Sequence, residues 1–453
     1  MHLDESIVGL ASMRGKNLDY SDVDAIQDLL RQVSSEVCHA NGTPILPLAG
    51  IVKPESSVLL KPNWVLHQNF SGKGTDCLVT HPNFVLAVLR EVFSCSPKKV
   101  VIGDAPVQGC IFENIVTNSW RDEIEKIATC PYEIIDFRRT VLKEGGLTAG
   151  QVTDARSQER FLLFDLKEDS LLEPVTKKNV AFRITCYDPD TLAKRHHKGR
   201  HQYLLCKEPF ESDVIINLPK LKTHKKAGLT AALKNLVGIN GNKEYLPHHR
   251  VGSPVEGGDC YRQLSPLKKI AEYCLDEANR NIGTQACARW MKGFETVIKL
   301  RSRFGDTEIE GGWYGNDTVW RMALDLNRIA LYGRLDGTMS DQKQRHIYSI
   351  ADGIIGGQGE GPLAPAPLEL GICTLAISSA YADLVHSYLL GLDFRKIPLV
   401  REAFGDFRFP LVQGAAESCQ VVAQQRFYSP VDASAEFGRR AVPARGWQGH
   451  IEL

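Results

Sequence analysis

Apolar residues follow two rhythms along this chain. Short, nearly continuous apolar runs bounded by turn formers recur at residues 57–60, 99–104, 132–137, 160–166, 214–218, 347–355 and 372–377. Runs of that length predict strands. Between them stand stretches whose apolar residues recur every three or four positions, the helical rhythm. Residues 22–37 carry Val23, Ile26, Leu29, Leu30, Val33 and Val37 on one stripe, with Ser21 as a capping candidate. Thr80 can cap a second helix with Pro82 in its first turn, running through Phe84, Val88, Leu89 and Val92. Further helices are predicted at 266–281, 284–303 and 380–390. Another follows Asn316, with Trp320, Leu324 and Ile329 inward.

Strand, helix and strand alternate over 57–104 and again over 347–390, the mark of parallel βαβ units. The predicted fold is α/β: a mainly parallel sheet flanked by helices, with a large insertion or second subdomain. The expected division is an N-terminal helical segment (1–50), an α/β core with a cationic loop (51–265), a helical subdomain (266–345), completion of the core (346–423) and a C-terminal tail (424–453).

The chemistry concentrates between residues 213 and 262. After the apolar run 214–218 and Pro219 come Lys220, Lys222 and His224. In an extended segment these alternate positions share one face, while Leu221 and Thr223 face the other way. A helix predicted from Ala227, with Leu229, Leu233, Leu236 and Val237 on its stripe and Gly238 as its stop, would aim free N–H groups at an anion, with Lys225 beside it. Lys243, His248, His249, Arg250, Asp259 and Arg262 follow. The alternative is a solvated basic surface loop.

Other polar groups fall where ligands of open α/β sheets sit, just past strand ends: Lys61, Asn63 and Asp104. Asp104 can equally cap a turn. Asp317, Arg321, Asp325 and Arg328 can share a helix face, as a surface ion-pair ladder or as a substrate-facing set. The basic run at 188–201 reads as a solvated loop, with a lid over an anion as the alternative. The glycine-rich stretch 356–361 lacks the Lys-Ser/Thr of a phosphate loop. It could bring backbone close to a ligand, with Asp352 and Glu360 able to take a proton or a metal; a purely structural tight loop is the alternative.

Composition narrows the partners. Lysine plus arginine and aspartate plus glutamate number 54 each in 453 residues, so nothing favours nucleic acid as the main partner. The twelve cysteines are scattered and form no C-x-x-C pair, which suits reduced thiols and not a disulfide framework. The N-terminal residues lack a signal-peptide pattern, and the most apolar long window, 368–384, is broken by polar residues. A cytoplasmic protein with no membrane span is expected, as a monomer or in a homo- or hetero-oligomer.

The stretch KLKTHKKAGLTAALKNLVGI (220–239) closely resembles the signature of a bacterial and archaeal family, domain of unknown function 362. LKPNW (60–64), YLPHHR (245–250), GNDTVWRMALDLNR (315–328) and DGIIGGQGEGPL (352–363) resemble the same family. The resemblance implies little chemistry beyond a shared task for these motifs. Some relatives are fused to ferredoxin-like iron–sulfur modules; this chain carries no such cluster motif.

Three functions stay open. The first is an enzyme acting on a small anionic metabolite, a phosphate, sulfate or carboxylate, by acid/base-assisted isomerisation, elimination or displacement of an anionic leaving group. Lys61, Asn63, Lys220, Lys222, Lys225, Arg250, Asn316, Asp317 and Arg321 would bind the substrate. His224, His248, His249 and Glu360 would move protons. No nucleophile triad is legible, so lyase, isomerase or transferase chemistry is favoured over hydrolysis. The second is a metal- or iron–sulfur-linked redox protein, with His248, Asp259 and Asp352 as candidate ligands of a divalent metal, joined by His249 and Glu360. The third is a non-catalytic anion-binding protein.

Overall fold

In a computed structural model of the chain, residues 3–13, 19–142, 152–178, 180–185, 187–303 and 309–453 are described. Cys186 and most of the turn-rich connection expected at 145–157 lie outside them.

The strands of the central sheet are β1 (Ile7–Ser12), β2 (Ser57–Pro62), β3 (Lys99–Asp104), β4 (Tyr132–Asp136), β5 (Val214–Leu218), β6 (Lys220–His224), β7 (Gly228–Thr230), β8 (His346–Glu360), β9 (Ala364–Ala376), β10 (Gln420–Ala423) and β11 (Arg426–Tyr428). Across the sheet the order is β11, β10, β1, β9, β8, β5, β2, β3, β4. The half from β8 to β4 is parallel throughout. The other half is mixed: β9 runs antiparallel to both β8 and β1, and β10 parallel to β1. The fold is therefore α/β, as the alternating pattern predicts.

Side chains alternate between two cores, one on each face of the sheet. Val58, Leu60, Val100, Ile102, Val214 and Ile216 pack towards α1 (Val23–Ala40) and α2 (Pro82–Ser94). Leu59, Val101 and Ile215 enter the opposite core, which α3 (Val319–Tyr332) and α4 (Ser379–Leu389) cover. Burial on both faces explains why these strands read as continuous apolar runs.

Several local expectations change. The helix predicted from Ala227 is instead a turn, then β7, then a four-residue helical turn Ala232–Asn235. Its first N–H groups do not await an anion: the Asp383 carboxylate takes Ala232 N at 2.7 Å and Leu233 N at 2.8 Å. The glycine-rich run is not a loop but the second half of β8. There a Cβ on Gly357 would lie 2.8 Å from Lys222 Cβ, so glycine lets β6 pack closely. Residues 7–12, expected in a helical segment, are a central-sheet strand. The C-terminal residues are not peripheral: Trp447 is buried and donates its indole N–H to Lys225 O at 2.8 Å, bracing the turn after β6. Among the described residues no helix is long and apolar enough to cross a membrane.

Candidate functional site

Strands β2, β3, β5 and β6 deliver their carboxyl ends to one region, the edge where parallel sheets bind ligands. Two kinds of buried lysine meet there. Lys61, fully buried, pairs with Asp104 Oδ1 at 2.7 Å and donates to Pro62 O and Asn235 Oδ1. Asp104 also accepts from Trp64 N and Ala105 N, and Gly238 packs against the pair so tightly that a Cβ would sit 2.0 Å from Oδ1. Lys220 is likewise matched, to Asp352 Oδ2 at 2.6 Å and to Tyr20 OH at 2.8 Å. Asp352 is consumed by this pair, by Tyr20 OH and by His81 N, which leaves it unsuited to be a metal ligand.

Lys222, two positions along the same face, has no carboxylate partner among the described residues. Its ammonium donates to Leu78 O and to Pro362 O. Burial and the Lys220 charge bring it down to about 7. Lys234, on the short helical turn, is pushed down to about 7 by burial and by Lys243, Lys226 and Lys61. It makes no hydrogen bond or ion pair among the described residues. Lys243 donates to Ala105 O at 2.6 Å and is lowered to about 8, again chiefly by burial. Lys226 is buried, donates to Thr185 Oγ1, and adds its charge to this cluster.

Two histidines stand among these cations. His224 Nδ1 accepts backbone N–H groups of Lys226 at 3.0 Å and Ala227 at 3.1 Å, so its proton resides on Nε2. His248 Nδ1 lies 2.8 Å from Leu246 O, an acceptor, so Nδ1 carries the proton and Nε2 keeps its lone pair. Burial holds both well below the usual histidine value, and among charges Lys234 contributes most to each. Both rings are therefore neutral near pH 7, one a donor and the other an acceptor at Nε2.

Unspent polar groups border the cluster. Among the described residues, Asn63 Nδ2 and Thr230 Oγ1 are buried without a hydrogen-bond partner. Thr230 stands opposite Lys222 in the β6–β7 register. Asn63 is tied through its backbone to Thr80, two residues beyond Leu78, whose carbonyl holds Lys222.

Other sequence candidates lie elsewhere. Asp259 accepts Arg250 N, Asp317 N and Thr318 Oγ1, and pairs with Arg250, so it fastens the start of α3. Asn316 Oδ1 caps that helix through Thr318 N and Val319 N, while its amide donates to His248 O and Gly311 O. Asp317 and Arg321 pair with each other, and Arg321 holds Leu171 O. Lys225 reaches Glu310 at 4.0 Å on the surface. Glu360 is exposed and accepts Arg445 N. His249 is buried beside Lys226 with Nδ1 unpartnered. Among the described residues no three His, Cys, Asp or Glu side chains gather as a metal site, so His248, Asp259 and Asp352 do not converge. In the basic run at 188–201, His196 and His201 are not solvated: they are buried, and Glu173 accepts from His201 at 2.9 Å.

Lys226 and Lys234 join the cluster without having been candidates on sequence grounds. The available signal for Lys234 is a lysine set among Ala231, Ala232, Leu233 and Leu236, a position that buries its stem. A cavity of about 380 Å³ lined by Glu211, Arg334, Arg345 and His346 lies at the amino ends of β5 and β8, away from this cluster.

Comparison with known proteins adds a family and two similarities. The profile of the family described as Domain of unknown function (DUF362) matches residues 140–385. The chain is 29% identical over 360 residues to Thylakoid-associated protein sll1697 of Synechocystis sp., covering 79% of this chain and 70% of that protein. It also aligns with a crystal structure of a protein from Thermotoga maritima at 9% identity and a TM-score of 0.31, over 76% of this chain. The chain spans 53% of the length of that protein.

Proposed function

We propose that this chain, which belongs to the DUF362 family, is an enzyme that holds a small anionic metabolite in the basic cluster and moves a proton with His248. The observation that carries this reading is the set Lys222, Lys234 and Lys243. These cations are brought together with no ion pair among the described residues. Buried charge without a counter-charge is costly. A phosphate, sulfate or carboxylate supplies that counter-charge, and charge-assisted hydrogen bonds hold it.

The two neutral imidazoles give the site its chemistry. The His248 Nε2 lone pair accepts a substrate proton. The His224 Nε2–H donates a hydrogen bond to oxygen on which charge develops. Abstraction of a proton followed by its return is isomerisation; abstraction with departure of the anion is elimination. Asn63 Nδ2 and Thr230 Oγ1 complete the binding shell.

Thermal unfolding with a panel of phosphorylated, sulfated and carboxylated metabolites tests the binding step. A bound anion raises Tm with concentration, and Lys234→Met removes the rise. His248→Gln keeps binding and abolishes turnover. If no anion stabilises the protein, the reading fails. We further infer a cytoplasmic location, supported by buried thiols outside any disulfide such as Cys38, Cys206 and Cys373; fractionation of cells expressing the full chain checks it.

A further inference from the structure

We propose that Lys234 is a covalent carbonyl-binding residue, so that the substrate is an anionic carbonyl compound, an oxo acid or an oxo phosphate, held as a Schiff base. This rests on the anion site described above and names its substrate class.

Lys234 differs from its neighbours in what its amine touches. Lys61 and Lys220 are locked to carboxylates, and Lys222 and Lys243 are tied to backbone carbonyl oxygens. Lys234 alone of these five has neither kind of partner among the described residues. It is half-buried, whereas Lys61, Lys220 and Lys222 are wholly enclosed. Its backbone is fixed: the Asp383 carboxylate pins Ala232 N and Leu233 N, and Asn235 is held by Lys61 O and Asn217 Oδ1. A backbone pinned on both sides, with an amine uncommitted among the described residues, suits a nucleophile better than a structural cation.

The surroundings favour the reactive form. Burial first, and then Lys243, Lys226 and Lys61, disfavour a positive charge at Lys234, which sits at about 7 and has a substantial neutral fraction at neutral pH. The same neighbours hold the carboxylate or phosphate of the incoming molecule. Among charges, Lys234 weighs most on both His224 and His248, so its amine lies within electrostatic reach of both imidazoles.

The step balances without a further reagent. The neutral Nζ lone pair attacks the carbonyl carbon, a C–N bond forms, and the C=O π pair moves to oxygen, hydrogen-bonded by His224 Nε2–H. His248 Nε2 carries the two nitrogen protons in turn to that oxygen. The C–O bond breaks, water leaves, and a C=N bond remains.

The test is reductive trapping on the full chain. Pyruvate and dihydroxyacetone phosphate serve as carboxylate and phosphate probes, each with borohydride, followed by peptide mass mapping. The expected result is one reduced adduct on the peptide carrying Lys234, with either probe, and its loss in Lys234→Arg, which keeps the charge. Absence of an adduct with both probes, or an undiminished adduct in Lys234→Arg, overturns the proposal. Should the variant not fold, peptide mapping of the parent protein decides alone, since an adduct on any peptide other than that of Lys234 also overturns it. Lactate and glycerol 3-phosphate, which lack the carbonyl, separate the two readings. If they raise Tm while the carbonyl probes leave no adduct, the anion site stands and the Schiff base falls. If neither binding nor trapping occurs, both fall.

Discussion

Lys220 and Lys222 sit two positions apart on one face of one strand, and both are wholly buried. Lys220 meets Asp352 at 2.6 Å, with Tyr20 completing the pair. Lys222 meets only carbonyl oxygens among the described residues, and the like charges of Lys220 and Lys234 oppose its protonation. The same contrast divides Lys61, matched to Asp104, from Lys234; Lys243 is intermediate, bonded to Ala105 O and favoured by the Asp104 charge without a direct ion pair among the described residues. Burial alone therefore does not tell these lysines apart; the missing counter-charge does. Matched lysines hold the sheet edge together, and the unmatched ones are those on which the proposed anion site draws.

The contrast breaks most visibly if one carboxylate is removed. Asp352→Ala leaves Lys220 buried without its partner and is expected to destabilise the fold by about 3–5 kcal/mol, read as a lowered denaturation midpoint with unchanged slope. Lys222→Met removes an unmatched charge, so stability should hold or rise. If both substitutions cost alike, the division into two kinds of lysine is wrong.

Binding should show the reverse order. Lys222→Met or Lys234→Met is expected to weaken a stabilising anion by roughly 1.5–3 kcal/mol, about ten- to a hundredfold, the range for a charge-assisted hydrogen bond. Isothermal titration against the best anion of the thermal screen measures this.

Acidity offers a finer test. Lys222 and Lys234 lie at about 7 in the fold, against roughly 10.4 for a free lysine. Between those values the unfolded chain binds more protons, so these two groups make stability rise with pH across that window. The difference in unfolding free energy between the parent and Lys222→Met should change across roughly pH 7–10 and flatten beyond it. Anion affinity should move oppositely, falling as these lysines and Lys243 at about 8 lose their protons. An affinity flat from roughly pH 6 to 9 would assign binding to other groups.

The smallest effect sharpens the boundary of the site. Lys225 is half-exposed and only loosely paired with Glu310. Lys225→Ala is expected to change stability by no more than about 0.5 kcal/mol and leave anion affinity unaltered. A loss of affinity equal to that of Lys234→Met would move the site out to the surface turn.

How legible each part is in the sequence depends on the range of its contacts. Strands β2, β3 and β5 are readable because burial on both faces leaves unbroken apolar runs at 57–60, 99–104 and 214–218. The α1 and α3 stripes are readable for the same local reason. Strand β1 is not, because one short run, Ile7–Ser12, has meaning only beside β9 and β10. The helix expected at Ala227 fails because Gly228 adopts a φ of +78°, which turns the chain into a hairpin, and Trp447 from the far end of the chain packs against it. Asn316 is readable as a cap, since capping is local. The roles of Asp317 and Arg321 are not, because their periodicity is the same whether they face a ligand or each other.

By itself, the sequence determined the alternation of strands and helices, the α/β class, and the clustering of cations and histidines between residues 213 and 262. These follow from spacing along the chain, which periodicity records directly. Only the tertiary structure decided which cations are spoken for. Asp104 reaches Lys61 across 43 positions and Asp352 reaches Lys220 across 132, and no pattern near either lysine announces its partner. The tautomers, by contrast, are set locally: His224 and His248 take their proton positions from backbone groups two or three residues away in their own turns. A charge's role depends on the counter-charge within a few ångströms, and in a sheet assembled from distant segments that neighbour is set by the fold.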